Sequence, residues 1–146
     1  MKIKTKKVVW LVLVLLAISG AAVGYYLFNK GPRDVKNSRS IKVQATELYK
    51  VFSSDSATAY KKYSNQVLET AGIVEAVSLN NEQVQLVTLK TGTEGAFINC
   101  TMDENNQNIR PGVLVTLKGI CSGIGEGEPE LGIKGDVYLS RCYLMK

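Results

Sequence analysis

Residues 112–144 have the sequence GVLVTLKGICSGIGEGEPELGIKGDVYLSRCYL, in which two runs rich in β-branched and aliphatic residues flank a glycine-rich connection. Both runs, 113–120 and 137–144, have the composition typical of β-strands. Six glycines between positions 119 and 135 disfavour a helix in the connection. The stretch therefore predicts two strands joined by a solvated, mobile loop.

Three further strands are predicted upstream, at 67–79, 84–89 and 96–102, with turn residues between them. Gly72 lies in the middle of the first, where it allows the sharp bend of a strand that serves both halves of a small barrel. Five strands of this length predict a mainly β protein with a five-stranded Greek-key barrel of the OB-fold type over 65–146. A five-stranded meander or a small sandwich is the alternative.

One or two short helices are expected before the barrel, within 41–64. Leu48, Val51 and Phe52 recur at helical spacing, and a second short helix is favoured from Ser56 to Tyr63. This apolar and aromatic stripe predicts a helical segment that packs on the barrel. In contrast, 103–112 is polar and too short for a helix with its connections.

The N-terminal part divides into a basic leader at 1–7, an apolar run at 8–28 and a polar linker at 29–40. The apolar run holds 21 residues without a charge, enough for about 30 Å of helix, which is the thickness of a bilayer core. We expect a retained transmembrane anchor, with a cleaved signal peptide as the alternative. Basic residues flank the run on both sides, and the denser cluster in the leader favours a cytoplasmic N-terminus. The domain then lies on the periplasmic or extracellular side of the cytoplasmic membrane.

The positive charge of the chain is concentrated beside this run. Of 18 basic residues, eight precede position 41, where one acid accompanies them, so 41–146 holds ten bases and twelve acids and has a net charge of −2. A domain with this balance lacks the excess of basic residues that binds a phosphate backbone. The chain has no histidine, which removes the usual general base and the commonest metal ligand. We therefore expect no enzymatic activity, no cofactor and no metal, and we do not expect nucleic acid as a partner.

Four segments resemble the tRNA_anti-like family of OB-fold proteins: 45–52 (ATELYKVF), 63–77 (YSNQVLETAGIVEAV), 115–123 (VTLKGICSG) and 135–144 (GDVYLSRCYL). The resemblance covers about 41–146, and G-x-C-S-G followed by D-V-x-L-x-x-C is its most specific part. Members are small bacterial proteins, often from Bacteroidetes, with an N-terminal anchor or signal. The resemblance implies the OB-fold and names no activity. One departure is that the helical sequence precedes the first strand here, rather than following the third.

The three cysteines, Cys100, Cys121 and Cys142, are each 21 residues apart, which is not the spacing of a metal site. The third and fifth strands of an OB-fold are neighbours, so a disulfide between Cys100 and Cys142 fits this barrel. A disulfide between Cys121 and Cys142 is the competitor, and three buried thiols are the third alternative.

In OB-folds the loop between the fourth and fifth strands borders the usual ligand face. We therefore predict a ligand face formed by the barrel and this loop, with Phe97, Ser122, Glu126, Glu128, Glu130, Lys134 and Tyr138 as its candidate residues. The expected function is that of a membrane-anchored binding module for a protein, peptide or glycan. A cytoplasmic OB-fold that binds single-stranded nucleic acid is the alternative.

Overall fold

The computed structural model describes residues 5–31 and 33–145, which belong to two units, Met1–Arg33 and Asp34–Lys146. In the first unit, α1 (Thr5–Asn29) is one continuous helix. Its stretch Lys6–Asn29 has a mean hydropathy of 2.3 and is long and apolar enough to cross a membrane. Its length and hydropathy make α1 a candidate membrane span, and a signal sequence has the same two properties.

The second unit contains two helices and six strands. In chain order these are β1 (Ile41–Gln44), α2 (Ala45–Ser54), α3 (Ser56–Tyr63), β2 (Val67–Leu79), β3 (Gln85–Lys90), β4 (Phe97–Met102), β5 (Leu114–Ile124) and β6 (Val137–Leu144). The five strands from β2 onward coincide with the five predicted strands to within a few residues. Turns alone connect β4 to β5, as predicted.

The sheet closes into a barrel in which each strand from β2 to β6 pairs with two others of these five strands. The order is β2–β3–β4–β6–β5, and β5 pairs back with β2. All of these pairs are antiparallel except β4–β6, which is parallel. This is the Greek-key barrel that the sequence predicts, and the meander and the sandwich are excluded.

β2 bends so that its two halves pair with different strands. Val67–Ile73 pairs with β5, whereas the register with β3 begins at Val74 and contains a bulge before Ala76. Gly72 lies at this change of partner. A Cβ atom there would lie 2.9 Å from the Cβ of Ala45, so the absent side chain lets α2 begin directly against the strand.

The two helices cover the barrel interior through their apolar faces. Leu48 and Phe52 of α2 and Ala59 and Tyr63 of α3 are buried. The hydroxyl of Tyr60 donates a hydrogen bond of 2.8 Å to the carbonyl oxygen of Ile124, at the end of β5. The helical segment therefore packs on the barrel and precedes the first barrel strand, as the sequence indicates.

Two short segments differ from the expectation. Residues 41–44 form the strand β1, parallel to the first half of β2, where a helical segment was expected. Residues 34–40 of the predicted linker pack on the barrel, because Val35 is buried and the Lys118 ammonium donates to the carbonyl oxygens of Lys36 at 3.0 Å and Ser38 at 2.6 Å. Both segments depend on contacts with distant residues.

Candidate functional site

The candidate site lies on the outer surface of β3, β4 and β6. Side chains alternate along these strands, so Leu89, Ile98 and Val137 are buried while their neighbours face outward. Asn99 is the register partner of Tyr138, and Phe97 is the preceding outward residue of β4. Two of the predicted ligand-face residues, Phe97 and Tyr138, are therefore diagonal neighbours. Tyr138 is 46% exposed, and Phe97 is half-buried.

Asp136 orders the polar groups of this surface. One carboxylate oxygen accepts a hydrogen bond of 2.9 Å from the backbone N–H of Phe97, and the other accepts one of 2.8 Å from the Asn99 amide. The Thr88 hydroxyl donates to the Asn99 oxygen at 3.0 Å. The amide of Asn99 is thereby held in one orientation between three strands. We call the surface formed by Thr88, Phe97, Asn99, Asp136 and Tyr138 the β3–β4–β6 face.

The glycine-rich connection 125–136 beside this face has two facing arms joined by one isolated β-bridge, Glu128–Ile133, and we call it the ribbon. The N–H of Gly125 donates to the carbonyl of Asp136 at 2.8 Å, and the N–H of Ile133 donates to that of Glu128 at 3.0 Å. A single turn of 3₁₀-helix at Pro129–Leu131 forms the tip. A Cβ atom at Gly127 or Gly135 would overlap the facing backbone, so these glycines allow the two arms to approach.

The ribbon carries an acidic edge and an exposed apolar tip. Glu126, Glu128 and Glu130 are exposed, and the register partner of Glu128 is Ile133, which is 54% exposed. Leu131, at the tip, is 70% exposed. Lys134 donates from its ammonium to the carbonyl oxygen of Glu94 at 3.2 Å, which ties the ribbon to the turn between β3 and β4.

An apolar groove borders the face on the opposite side of β3. It has a volume of about 480 Å³ and lies between the start of α2 and the strands β2 and β5. Ala71, Ile73 and Leu114 form its apolar wall, and Lys90 stands at its edge. Lys90 is the register partner of Phe97 and pairs with Glu75 at 3.0 Å. The groove and the β3–β4–β6 face therefore meet at Lys90.

The structure brings together some of the predicted residues and adds others. Phe97, Tyr138 and Ser122 lie on the adjacent strands β4, β6 and β5, whereas the three glutamates are spread along the ribbon. Sequence reasoning missed Thr88, Asn99 and Asp136 and the groove. Polar residues at the outward positions of an alternating strand are the signal that points to Thr88 and Asn99.

All three cysteines are buried thiols. The hydrogen bond between Cys100 and Cys142, together with burial, raises the pKa of Cys100. Burial raises the pKa of Cys121 to about 11. Among residues 5–31 and 33–145, no three His, Cys, Asp or Glu side chains gather into a metal site.

Comparisons with known proteins agree with this architecture. A crystal structure of a lipoprotein from Klebsiella pneumoniae subsp. pneumoniae, described as nucleic acid-binding, matches with a TM-score of 0.56 and 13% sequence identity over 80% of this chain and 100% of that chain. At this identity the likeness shows the fold alone. No curated protein sequence matches. The tRNA_anti-like family model matches residues 1–131, which includes the N-terminal helix and stops before β6. Since this match covers most of the chain, the protein belongs to the tRNA_anti-like family.

Proposed function

We propose that this protein is a membrane-anchored, non-catalytic binding module that holds a protein, peptide or glycan on the extracytoplasmic side of the cytoplasmic membrane. The observation that carries the proposal is the β3–β4–β6 face. There the Phe97 and Tyr138 rings lie on an outer surface beside the Asn99 amide, which Asp136 and Thr88 orient. An exposed Tyr138 ring and a half-buried Phe97 ring beside oriented polar groups supply both contact area and direction to a partner.

The shape around this face also favours binding. The groove at Ile73 and Leu114 meets the face at Lys90, and the ribbon, whose exposed apolar residues are Leu131 and Ile133, is tied by Lys134 to the turn that precedes Phe97. Exposed apolar side chains that cluster beside polar groups mark interaction surfaces in soluble domains.

Two carboxylates near the face, those of Glu75 and Asp136, are engaged in structural contacts, which favours a non-catalytic role. Glu75 pairs with Lys90, and the carboxylate of Asp136 accepts two hydrogen bonds. A general base needs a carboxylate that can reach a substrate proton. These two carboxylates instead form contacts between neighbouring strands of the sheet.

Site-specific photo-crosslinking in living cells tests the proposal. A photoreactive amino acid replaces Tyr138, Leu131 or Ile73 in the full chain, and mass spectrometry identifies what is captured. Lys61 on α3, exposed and distant in sequence from the face, serves as the matched control position. We expect one shared partner from the three test positions and none from Lys61. Equal capture at all four positions contradicts the assignment of the face.

A second candidate function, binding of single-stranded nucleic acid, is favoured by the exposed Tyr138 ring, because bases stack on exposed aromatic side chains in OB-folds. The structural neighbour described as nucleic acid-binding also points this way. Against it stand the net charge of −2 over 41–146 and the three glutamates of the ribbon. Binding of labelled oligo-dT to the detergent-solubilised full chain decides between the two. We expect no retention, whereas binding that weakens steeply with salt supports the second candidate.

A further inference from the structure

A row of side chains in register crosses the β3–β4–β6 face from β2 to β6. Ala76 is the register partner of Thr88, Thr88 that of Asn99, and Asn99 that of Tyr138. Register partners lie side by side on one surface of a sheet, and neighbouring strands are about 4.8 Å apart, so the row is roughly 14 Å long. This Ala76–Tyr138 row therefore has the length of a short oligomer.

The Asn99 amide in this row is fixed in one orientation. A carboxylate only accepts hydrogen bonds, so the amide nitrogen faces Asp136 at 2.8 Å, and the amide oxygen faces the Thr88 hydroxyl at 3.0 Å. These two bonds come from strands on opposite sides of β4. Among the residues that the structure describes, the second amide N–H and the second lone pair of the amide oxygen have no partner. One donor and one acceptor are therefore available side by side to a ligand.

The Tyr138 ring, at one end of the row, packs against the start of the ribbon. A Cβ atom at Gly125 would lie 2.9 Å from Cε2 of the ring, so the absent side chain lets the ring approach the ribbon backbone. Tyr138 is still 46% exposed, which leaves part of the ring to a ligand. A tyrosine ring offers a large apolar surface at a low cost in conformational entropy.

The Ala76–Tyr138 row carries no charged side chain. The next register row along the same strands, formed by Ser78, Leu86 and Thr101, is also neutral. On the other side of the row, Lys90 pairs with Glu75 at 3.0 Å. An anionic polymer needs cations that are free to meet its charges. The row therefore favours a neutral ligand.

The strands under the row leave no edge to which a peptide could add as a further strand. Each of β3, β4 and β6 pairs on both sides with other strands of the barrel. A peptide that extends a sheet needs the unpaired main-chain N–H and C=O groups of an edge strand. Recognition on this face therefore depends on side-chain hydroxyls, an oriented amide and an aromatic ring.

We propose that the β3–β4–β6 face binds a neutral oligosaccharide, an inference that rests on the proposed function of this face. Sugar hydroxyl groups both donate and accept hydrogen bonds. Two neighbouring hydroxyls of one sugar can therefore pair with the Asn99 amide, one accepting from its N–H and the other donating to its oxygen. The C–H surface of a sugar ring packs on the Tyr138 ring. Neither contact needs a charge.

A glycan array probed with the fluorescently labelled full chain tests the inference. The protein is kept in a polyoxyethylene detergent, because a glycoside detergent would itself compete as a sugar. The array carries neutral hexose and N-acetylhexosamine oligomers, sulfated and uronic acid oligomers, and synthetic peptides of similar length. We expect binding within the neutral set, equal at low and high salt because the contacts involve no charge. Absence of binding to every neutral oligomer overturns the inference.

Four variants assign the binding to the face. Asn99→Ala removes the oriented amide and Tyr138→Ala removes the ring, so each should weaken binding roughly tenfold or more. Tyr138→Phe keeps the ring and should retain binding. Gln107→Ala is the matched control for the amide, because it removes an exposed amide from the loop between β4 and β5. It should bind like wild type, and circular dichroism shows whether each variant folds.

The outcomes separate this inference from the proposed function. Binding of peptides alone that is lost in Tyr138→Ala overturns the oligosaccharide and leaves the face as a binding site. Neutral oligomers that bind folded Asn99→Ala and Tyr138→Ala as tightly as wild type place the site elsewhere, which overturns both.

Discussion

At position 119 the identity of the residue is set by a neighbour on another strand. Gly119 of β5 faces Cys142 of β6, whose sulfur leaves no room for a Cβ atom. We predict that Gly119→Ala lowers the free energy of unfolding by about 1–3 kcal/mol, as expected for a side chain added to a filled core. Chemical denaturation of the reduced full chain in detergent measures the change.

A double-mutant cycle identifies the cause of this loss. Cys142→Ala removes the sulfur, so Gly119→Ala should cost less in that background than in wild type. The Ser140 carbonyl near position 119 leaves part of the cost in place. An equal cost in both backgrounds shows that the sulfur is not the obstacle.

Single residues also show which parts of the site sequence reasoning can reach. Phe97 and Tyr138 stand out because each is an aromatic residue at an outward position of a regular strand. Asp136 cannot be found in this way, because its role depends on reaching the N–H of Phe97, 39 residues away. Local patterns predict on which side of a strand a residue lies, but not which distant group it meets.

At the scale of elements, the ribbon is held by close backbone approach rather than by side chains. Gly127 faces the backbone at Ile133 and Lys134, so Gly127→Ala must push the two arms apart. We predict faster hydrogen exchange at the Ile133 amide, which donates to Glu128, with little change in the melting temperature of the barrel. Hydrogen exchange with mass spectrometry of peptic peptides that contain Ile133 measures it.

The matched control for the ribbon is Leu131→Ala, at the exposed tip. This variant keeps both arms together, so exchange at Ile133 should equal that of wild type. A large drop in melting temperature for Gly127→Ala would mean instead that the ribbon is part of the barrel's cooperative unit.

The strands differ in how well local sequence predicts them. β2 and β5 are long enough for their alternation to be recognised. β2 keeps its predicted bounds, whereas β5 continues beyond the predicted end at position 120, to Ile124. β1 has four residues and runs directly into α2, so its alternation is too short to separate from the helical pattern that follows. It forms because β2 offers an edge to it. The connection 125–136 was predicted only as a solvated surface loop between two strands, since alternating glycine and glutamate carry no apolar signal.

Lys118 links β5 to residues 34–40, the segment that precedes the barrel. Its ammonium is nearly buried and binds the carbonyl oxygens of Lys36 and Ser38. We predict that Lys118→Met releases 34–40 from the barrel, because methionine fills the same path without a donor. Trypsin should then cut severalfold faster after Lys36 and Arg39, as followed by intact mass.

Lys90→Met is the control for this digestion. Lys90 is also a lysine on a barrel strand, but its ammonium pairs with Glu75 on the outer surface. Its loss should leave cleavage at Lys36 and Arg39 at the wild-type rate. Equal acceleration in both variants would mean that general destabilisation, rather than the loss of two carbonyl contacts, opens the segment.

At the scale of the whole molecule, charge and hydropathy divide the chain in the same place. The apolar helix α1 has basic residues on both sides, whereas 41–146 is mildly acidic. A barrel with this charge gains nothing from the anionic surface of a cytoplasmic leaflet, while the four leader lysines do. This separation agrees with a leader that stays in the cytoplasm and a domain that is exported.

Reporter fusions at the C-terminus of the full chain test this orientation. Alkaline phosphatase becomes active outside the cytoplasm, where its disulfides form, and green fluorescent protein is fluorescent inside. We predict that the phosphatase fusion is active and that the green fluorescent protein fusion is not fluorescent.

Replacement of the four leader lysines, Lys2, Lys4, Lys6 and Lys7, by alanine leaves Lys30, Arg33, Lys36 and Arg39 as the dominant cluster. Since the denser basic cluster stays in the cytoplasm, part of this variant should invert and become fluorescent. Fluorescence of the wild-type fusion places the barrel in the cytoplasm and contradicts the proposed location.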